Sequence, residues 1–167
     1  GNTSSGNGGG IEVQIGRVFV TESLVSQNSA SRGAGLYAAR GIITVERSIF
    51  SGNDALDGGG IYGERRARLT VTDSEVVGNT SLDAAGGMLG RITASGTTIS
   101  GNVAARGGGV FGGVGTMRLT NCTISGNQAT TGGGVDHPGS GSPIVLASTT
   151  IAENSASFGG GVGQDVG

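Results

Sequence analysis

Short apolar runs alternate with polar residues along the chain and are separated by clusters of glycine, and the arrangement returns every 23 to 27 residues. Its marker is an asparagine that ends an apolar run and is followed by small residues, glycines and one aliphatic residue. It recurs at Asn2, Asn28, Asn53, Asn79, Asn102, Asn127 and Asn154. A period of this size predicts a repeat architecture in which each copy buries its apolar face only against its neighbours.

Each copy reads the same way when numbered from its asparagine. Ten residues before it stand Val18, Ile43, Leu69, Ile92, Met117 and Ile144, and eight before it Val20, Val45, Val71, Ala94, Leu119 and Leu146. The residue between them is most often Thr, as at Thr44, Thr70 and Thr93, which is the period-two pattern of a strand with one buried face. Six before the asparagine come Glu22, Arg47, Asp73, Gly96, Asn121 and Ser148, where a bend is expected. A second inward strand follows, with Val25, Phe50, Val76, Ile99, Ile124 and Ile151 three residues before the asparagine. The asparagine then closes a turn and is expected to take a left-handed backbone. After the glycines, Ile11, Leu36, Ile61, Met88, Val110, Val135 and Val162 form a third inward ladder. The segment between that ladder and the next strand varies most, from three residues at 89–91 to eight at 136–143, and reads as a variable loop.

Three short one-faced strands per period cannot make separate hairpin domains, but they can coil. Stacked coils pair each strand in parallel with its counterpart about 4.8 Å away and align like residues in ladders. Asparagine suits such a ladder because its amide both donates and accepts. The expected fold is therefore all-β: a right-handed parallel β-helix of about six to seven coils in one domain over residues 1–167, the hand following from the usual sense of parallel crossovers. The last coil's unpaired edges near Gly167, like those at Gly1, predict self-association through the ends, or a segment of a longer repeat protein.

Composition sharpens this picture. The 37 glycines sit at fixed places in a period rich in Ile, Val and Leu, so they mark packing and not low complexity. The net charge of −2 gives no reason to expect nucleic acid over the whole surface, and no long apolar run suggests a membrane span. Cys122 is the single cysteine, at an inward Ser/Thr position, and reads as a buried spectator thiol. His137, the single histidine, reads as a loop residue; with Asp136 it supplies too few ligands for a metal, so no cofactor is expected. The G-x-G-x-x-G matches at 58–63 and 107–112 lack the strand-before, helix-after context of a dinucleotide site. Of the N-x-[ST] sequons at Asn2, Asn79 and Asn121, two belong to the ladder, which disfavours glycosylation.

Phe50-Ser51-Gly52-Asn53 followed by Gly58-Gly59-Gly60-Ile61 resembles the paired FxxN and GGA[ILV] repeats of chlamydial polymorphic outer-membrane proteins and related bacterial extracellular β-helix repeats. That resemblance implies an extracellular or cell-surface location and a structural or adhesive role, and the same scaffold also occurs in pectate-lyase-like enzymes.

Two candidate sites follow. Strand alternation turns Tyr37, Tyr62, Leu89 and Phe111 outward as a stripe, close to Arg40, Arg65, Arg66, Arg68 and Arg91. Aromatic faces beside arginine can contact an acidic sugar chain or a protein, although a self-stacking ladder edged by solvated charge explains the pattern without a ligand. The expected contact set is Tyr37, Tyr62, Phe111, Arg65 and Arg66. An enzyme on this scaffold would be a polysaccharide lyase or hydrolase; resemblance to pectate lyases implies aspartates for calcium and an arginine base, and Asp57 and Asp83 near Arg65 and Arg66 are the candidates. Noncatalytic use ranks first, because the chain has no long loops to wall a groove.

Overall fold

The computed structural model describes residues 1–138 and 142–164, so residues 139–141 of the 136–143 segment and the end at Gly167 lie outside the described residues. The chain is a parallel β-solenoid of about six turns, with no helix among the described residues. Three parallel sheets run along it. A wide sheet holds eleven strands, a middle sheet six and a narrow sheet three.

The middle sheet is the ladder predicted just before the asparagines: Leu24–Ser26, Ile49–Ser51, Glu75–Val77, Thr98–Ser100, Thr123–Ser125 and Thr150–Ala152, with Val25, Phe50, Val76, Ile99, Ile124 and Ile151 in register. The wide sheet carries both of the other predicted ladders. Leu36–Glu46 and Ile61–Thr72 are single continuous strands, so the segment expected as a variable loop is strand in these coils. Alternation keeps its phase in the longer strand, where Ile61, Gly63, Ala67, Leu69 and Val71 are buried, and changes phase in the shorter between Ala38 and Ile43; a step in register between Ala38 and Arg40 absorbs the one extra residue at Glu64-Arg65 as a β-bulge. The narrow sheet, Ser29–Arg32, Asp54–Asp57 and Thr80–Ser81, is formed by the small residues after the asparagine and continues as single bridges through Val103, Gln128 and Ser155.

Left-handed backbone occurs at the predicted bend, at Glu22, Arg47, Asp73, Gly96, Asn121 and Ser148, with φ between 45° and 59°. The ladder asparagines do not share it. The left-handed residue is the one before each, Gln27, Gly52, Gly78, Gly101, Gly126 or Glu153, which frees the asparagine to aim its amide along the axis. Close approach explains the last glycine of each run: a Cβ on Gly35, Gly60 or Gly87 would stand 2.3–2.5 Å from a carbonyl oxygen of the next coil.

The core is one column of side chains, with Phe50, Leu36, Ile43, Ile61, Leu69, Met88, Ile92, Ile99, Met117, Leu119 and Ile124 fully buried. Burial of this apolar column is the main favourable term in stability. Beside it run two polar ladders. In the first, each asparagine Nδ2 donates to the Oδ1 of the next, from Asn2 to Asn154, at 2.9–3.0 Å. The same Oδ1 also accepts the backbone N–H of the preceding asparagine, and from Asn53 onward the second Nδ2 hydrogen reaches a carbonyl one coil back. From Asn53 to Asn127 every amide hydrogen and both lone-pair directions are thereby used, which is what lets a fully buried amide persist. In the second, the hydroxyls of Ser23, Ser48, Ser74, Thr97 and Thr149 donate to the carbonyl two residues earlier, and the Cys122 thiol takes their place. Cys122 is buried, and burial pushes its thiol pKa up.

Candidate functional site

The aromatic stripe forms on the outer face of the wide sheet, where Tyr37, Tyr62, Leu89, Phe111 and Asp136 occupy successive rungs. It is less open than alternation alone suggests. Tyr37 and Tyr62 stack with ring centroids 5.6 Å apart, and Tyr37 is only 3% exposed. Its hydroxyl donates to Glu64 Oε1 at 2.6 Å, and Arg32 Nη1 lies 3.5 Å from the same oxygen. Burial first, and then the Glu64 carboxylate, push the Tyr37 pKa up to about 12. Glu64, in the bulge, accepts from the Tyr37 hydroxyl, so this rung of the outward stripe is covered and not open. At the other end Arg106 lies over the Phe111 ring at 5.1 Å, a cation–π contact that covers one face.

Tyr62, Leu89 and Phe111 floor an open cleft of about 500 Å³, together with Arg65 and Arg91. A second cleft of about 400 Å³ shares Tyr62 and Arg65 and adds Arg40, Glu64 and Arg66. Of the predicted contact residues, Tyr62, Phe111 and Arg65 therefore meet in one cleft and Arg66 joins through the next, while Tyr37 supports Tyr62 from beneath.

The carboxylate candidates are arranged differently. Asp57 lies in register with Arg32 on the narrow sheet. Asp83 is not its rung partner: Gly58 N–H bonds to Ala84 O, and Ser81 pairs with Ala55, so the span around Asp83 holds one residue more than its neighbour. Asp83 Oδ1 instead accepts from Arg106 Nη2 at 2.8 Å and Nε at 3.1 Å. Neither aspartate lines the clefts that contain Arg65 and Arg66. No group of three or more His, Cys, Asp or Glu side chains among the described residues is placed to hold a metal ion.

His137 is a correction to the sequence reading. It is fully buried, with Nε2 3.3 Å from Gly115 O, and its ring fills the space that a Cβ on Gly112 would enter. Val13, Ala38, Gly63, Gly90 and Gly112 precede it at the same offset from the aliphatic ladder, so strand alternation alone points this position inward. Asp136 beside it is buried too and accepts a hydrogen bond from Thr131 Oγ1.

Sequence reasoning placed Arg40, Arg65, Arg66, Arg68 and Arg91 beside the stripe but missed Arg17, Arg118 and the segregation of charge by face. The chain has ten arginines, and the ion pairs engage Arg32, Arg47 and Arg106. The remaining seven, Arg17, Arg40, Arg65, Arg66, Arg68, Arg91 and Arg118, are exposed and lie along the wide sheet. Marking which strands share that sheet is the signal that reveals it, and a net charge hides it. Compared with protein-family models, with curated proteins and with solved structures, the chain matches none.

Proposed function

We propose that this chain is a noncatalytic β-solenoid module of an extracellular or cell-surface protein, structural and adhesive in role and akin to bacterial extracellular β-helix repeats. Its contact surface is the wide-sheet face around Tyr62, Phe111, Arg65 and Arg66, with Tyr37 as support. The observation behind this reading is that aromatic and cationic side chains from three successive coils converge on one open cleft while Asp83, a candidate acid, is held by Arg106 elsewhere. A concave, partly apolar surface with a few convergent polar groups suits binding. The alternative is a polysaccharide lyase or hydrolase that uses Asp57 and Asp83 with calcium and Arg65 or Arg66.

The asparagine ladder extends the reading to the ends. In each rung the backbone N–H and one Nδ2 hydrogen point toward the following coil while the other Nδ2 hydrogen points back, so a coil stacked beyond Asn154, from this protein or a second copy, would meet the backbone N–H and one Nδ2 hydrogen of Asn154 as donors. Incubation with acidic polysaccharides, with and without calcium, tests the proposal. Binding without release of shorter chains is the expected result, and release of unsaturated or reducing ends would establish the enzyme instead.

A further inference from the structure

Among the described residues, four carboxylates share the wide sheet with the seven arginines outside the ion pairs, and all four have other partners. Glu64 is held by Tyr37 and Arg32, Glu46 lies against Arg47, Glu12 accepts from Gln14, and Asp136 accepts from Thr131. Among the described residues none forms an ion pair with these seven arginines, although Glu64 shares a cleft with Arg40, Arg65 and Arg66 and the chain as a whole is acidic. The other faces carry Asp54, Asp57, Asp73, Glu75 and Asp83, so the charge is segregated by face.

The register makes the segregation more pointed. Arg40 and Arg66 are direct rung partners. Arg68 and Arg91 are neighbours as well, because Leu69 pairs with Ile92 and the Leu69 N–H bonds to Arg91 O. Like charges directly opposite on neighbouring strands, about 4.8 Å apart, weaken a sheet unless an anion lies between them. The clefts join these pairs. Arg65 belongs both to the cleft with Arg40 and Arg66 and to the one floored by Tyr62 and Phe111, and Arg91 belongs to the latter and to a third, with Arg68 and Arg118. Together they trace one basic lane across the coils.

We infer that this lane binds a linear glycan bearing sulfate or phosphate ester groups, laid along the solenoid axis, with an ester group bridging each arginine rung pair. The inference rests on the noncatalytic contact surface proposed above and names its ligand. Three observations select this chemistry. A guanidinium presents a planar fork that takes two oxygens at once; a carboxylate's two oxygens are consumed by one fork, whereas the three terminal oxygens of a sulfate or phosphate ester serve two arginines. Thr44, Thr70 and Thr93 form a row of outward hydroxyls that runs to Arg118, two residues along from Arg68 and Arg91, suited to a hydroxyl-rich chain. One face of each aromatic ring is already taken, Tyr37 stacking on Tyr62 and Arg106 lying over Phe111, which leaves few platforms for successive nucleobases and disfavours single-stranded nucleic acid.

Dextran sulfate and dextran phosphate, matched in charge density with polygalacturonate and accompanied by neutral dextran and a single-stranded oligothymidylate, are the probes for a binding titration on the whole protein. One or both of the ester-bearing dextrans should bind, weakening as salt rises, with the tighter one identifying the ester. Arg66→Ala and Arg91→Ala should each weaken that binding about tenfold, the loss of a charge-assisted contact. Arg47→Ala, at an ion pair away from the lane, should leave it unchanged. Among the described residues neither lane arginine makes a side-chain hydrogen bond or ion pair, and each substitution relieves a like-charged rung pair, so both variants should melt at or slightly above the parent. The inference is overturned if neither ester binds, if polygalacturonate or oligothymidylate binds as tightly, or if both lane variants retain full affinity. Cleavage of a bound glycan would refute the noncatalytic reading and leave the lane standing, whereas loss of the lane leaves that reading intact.

Discussion

Replacing Asn102 by alanine tests the polar ladder at its centre. Asn102 is fully buried, and its Oδ1 accepts both the backbone N–H and the Nδ2 of Asn79 at 2.9 and 3.0 Å. Its own Nδ2 donates to Asn127 Oδ1 and to Val76 O, each at 2.9 Å. Alanine strands two buried donors of Asn79, and each unsatisfied donor costs about 1–3 kcal/mol. The vacated amide leaves a space ringed by four polar atoms, enough partners to hold one water, which brings the expected loss to about 2–3 kcal/mol. For a chain of this size that lowers Tm by roughly 4–12 °C. Asn102→Asp should cost more than alanine at neutral pH, because it keeps the acceptor but sets a carboxylate oxygen against Asn127 Oδ1 and Val76 O. Its deficit should shrink on acidification, when the protonated acid can donate. Thr98→Ala removes a half-buried outward side chain with no hydrogen bond and should cost no more than about 0.5 kcal/mol. Thermal and urea melts of the three variants decide the matter: equal losses at Asn102 and Thr98 would refute the ladder as a stabilising element.

Gly87→Ala should be severely destabilising, since the new Cβ falls 2.3 Å from Gly109 O, whereas Gly78→Ala, with open space around it, should cost only the left-handed strain of about 1–2 kcal/mol; chemical denaturation compares them. Tyr37 has a folded-state pKa of about 12 against 10.0 for the free phenol, so its contribution to stability is complete below pH 10 and is lost as pH rises toward 12. Tyr37→Phe should therefore show a smaller alkaline loss of stability in melts across that range. Cys122→Ser restores the residue type of the hydroxyl ladder and should be neutral or stabilising, and the Cys122 thiol of the native protein should react with a thiol reagent only on unfolding.

Residues with a strict period were legible in the sequence. The ladders through Phe50, Ile43 and Ile61 could be placed because alternation and a fixed offset from Asn53 leave one consistent way to face them inward. The hidden features depend on which coils touch. The wide sheet carries two predicted ladders because Leu36–Glu46 and Ile61–Thr72 run without a break, and no local signal distinguishes a straight strand from a short loop of equal length. One-residue insertions had the largest consequences: the bulge at Glu64-Arg65 holds the carboxylate that covers Tyr37, and the extra residue near Asp83 takes that carboxylate out of register with Asp57 and toward Arg106. His137 was misread because Pro138 follows it, yet the offset from Val135 already placed it inward. The arginine lane is assembled from four coils, so its continuity through to Arg118 becomes visible only when rungs are stacked.

Stacking by rung is the claim on which the ladders, the cleft and the lane all depend. Thr44, Thr70, Thr93 and Arg118 occupy successive rungs on the outer face of the wide sheet. Nitroxide labels on cysteines at Thr44 and, in turn, at each of the other three positions, in a Cys122→Ser background, measure that stacking by electron paramagnetic resonance. The separation should grow by about 4.8 Å with each rung, to roughly 14 Å for the pair at Thr44 and Arg118. Distances that fail to rise in even steps, or a pair at Thr44 and Thr93 closer than the pair at Thr44 and Thr70, would contradict the parallel solenoid.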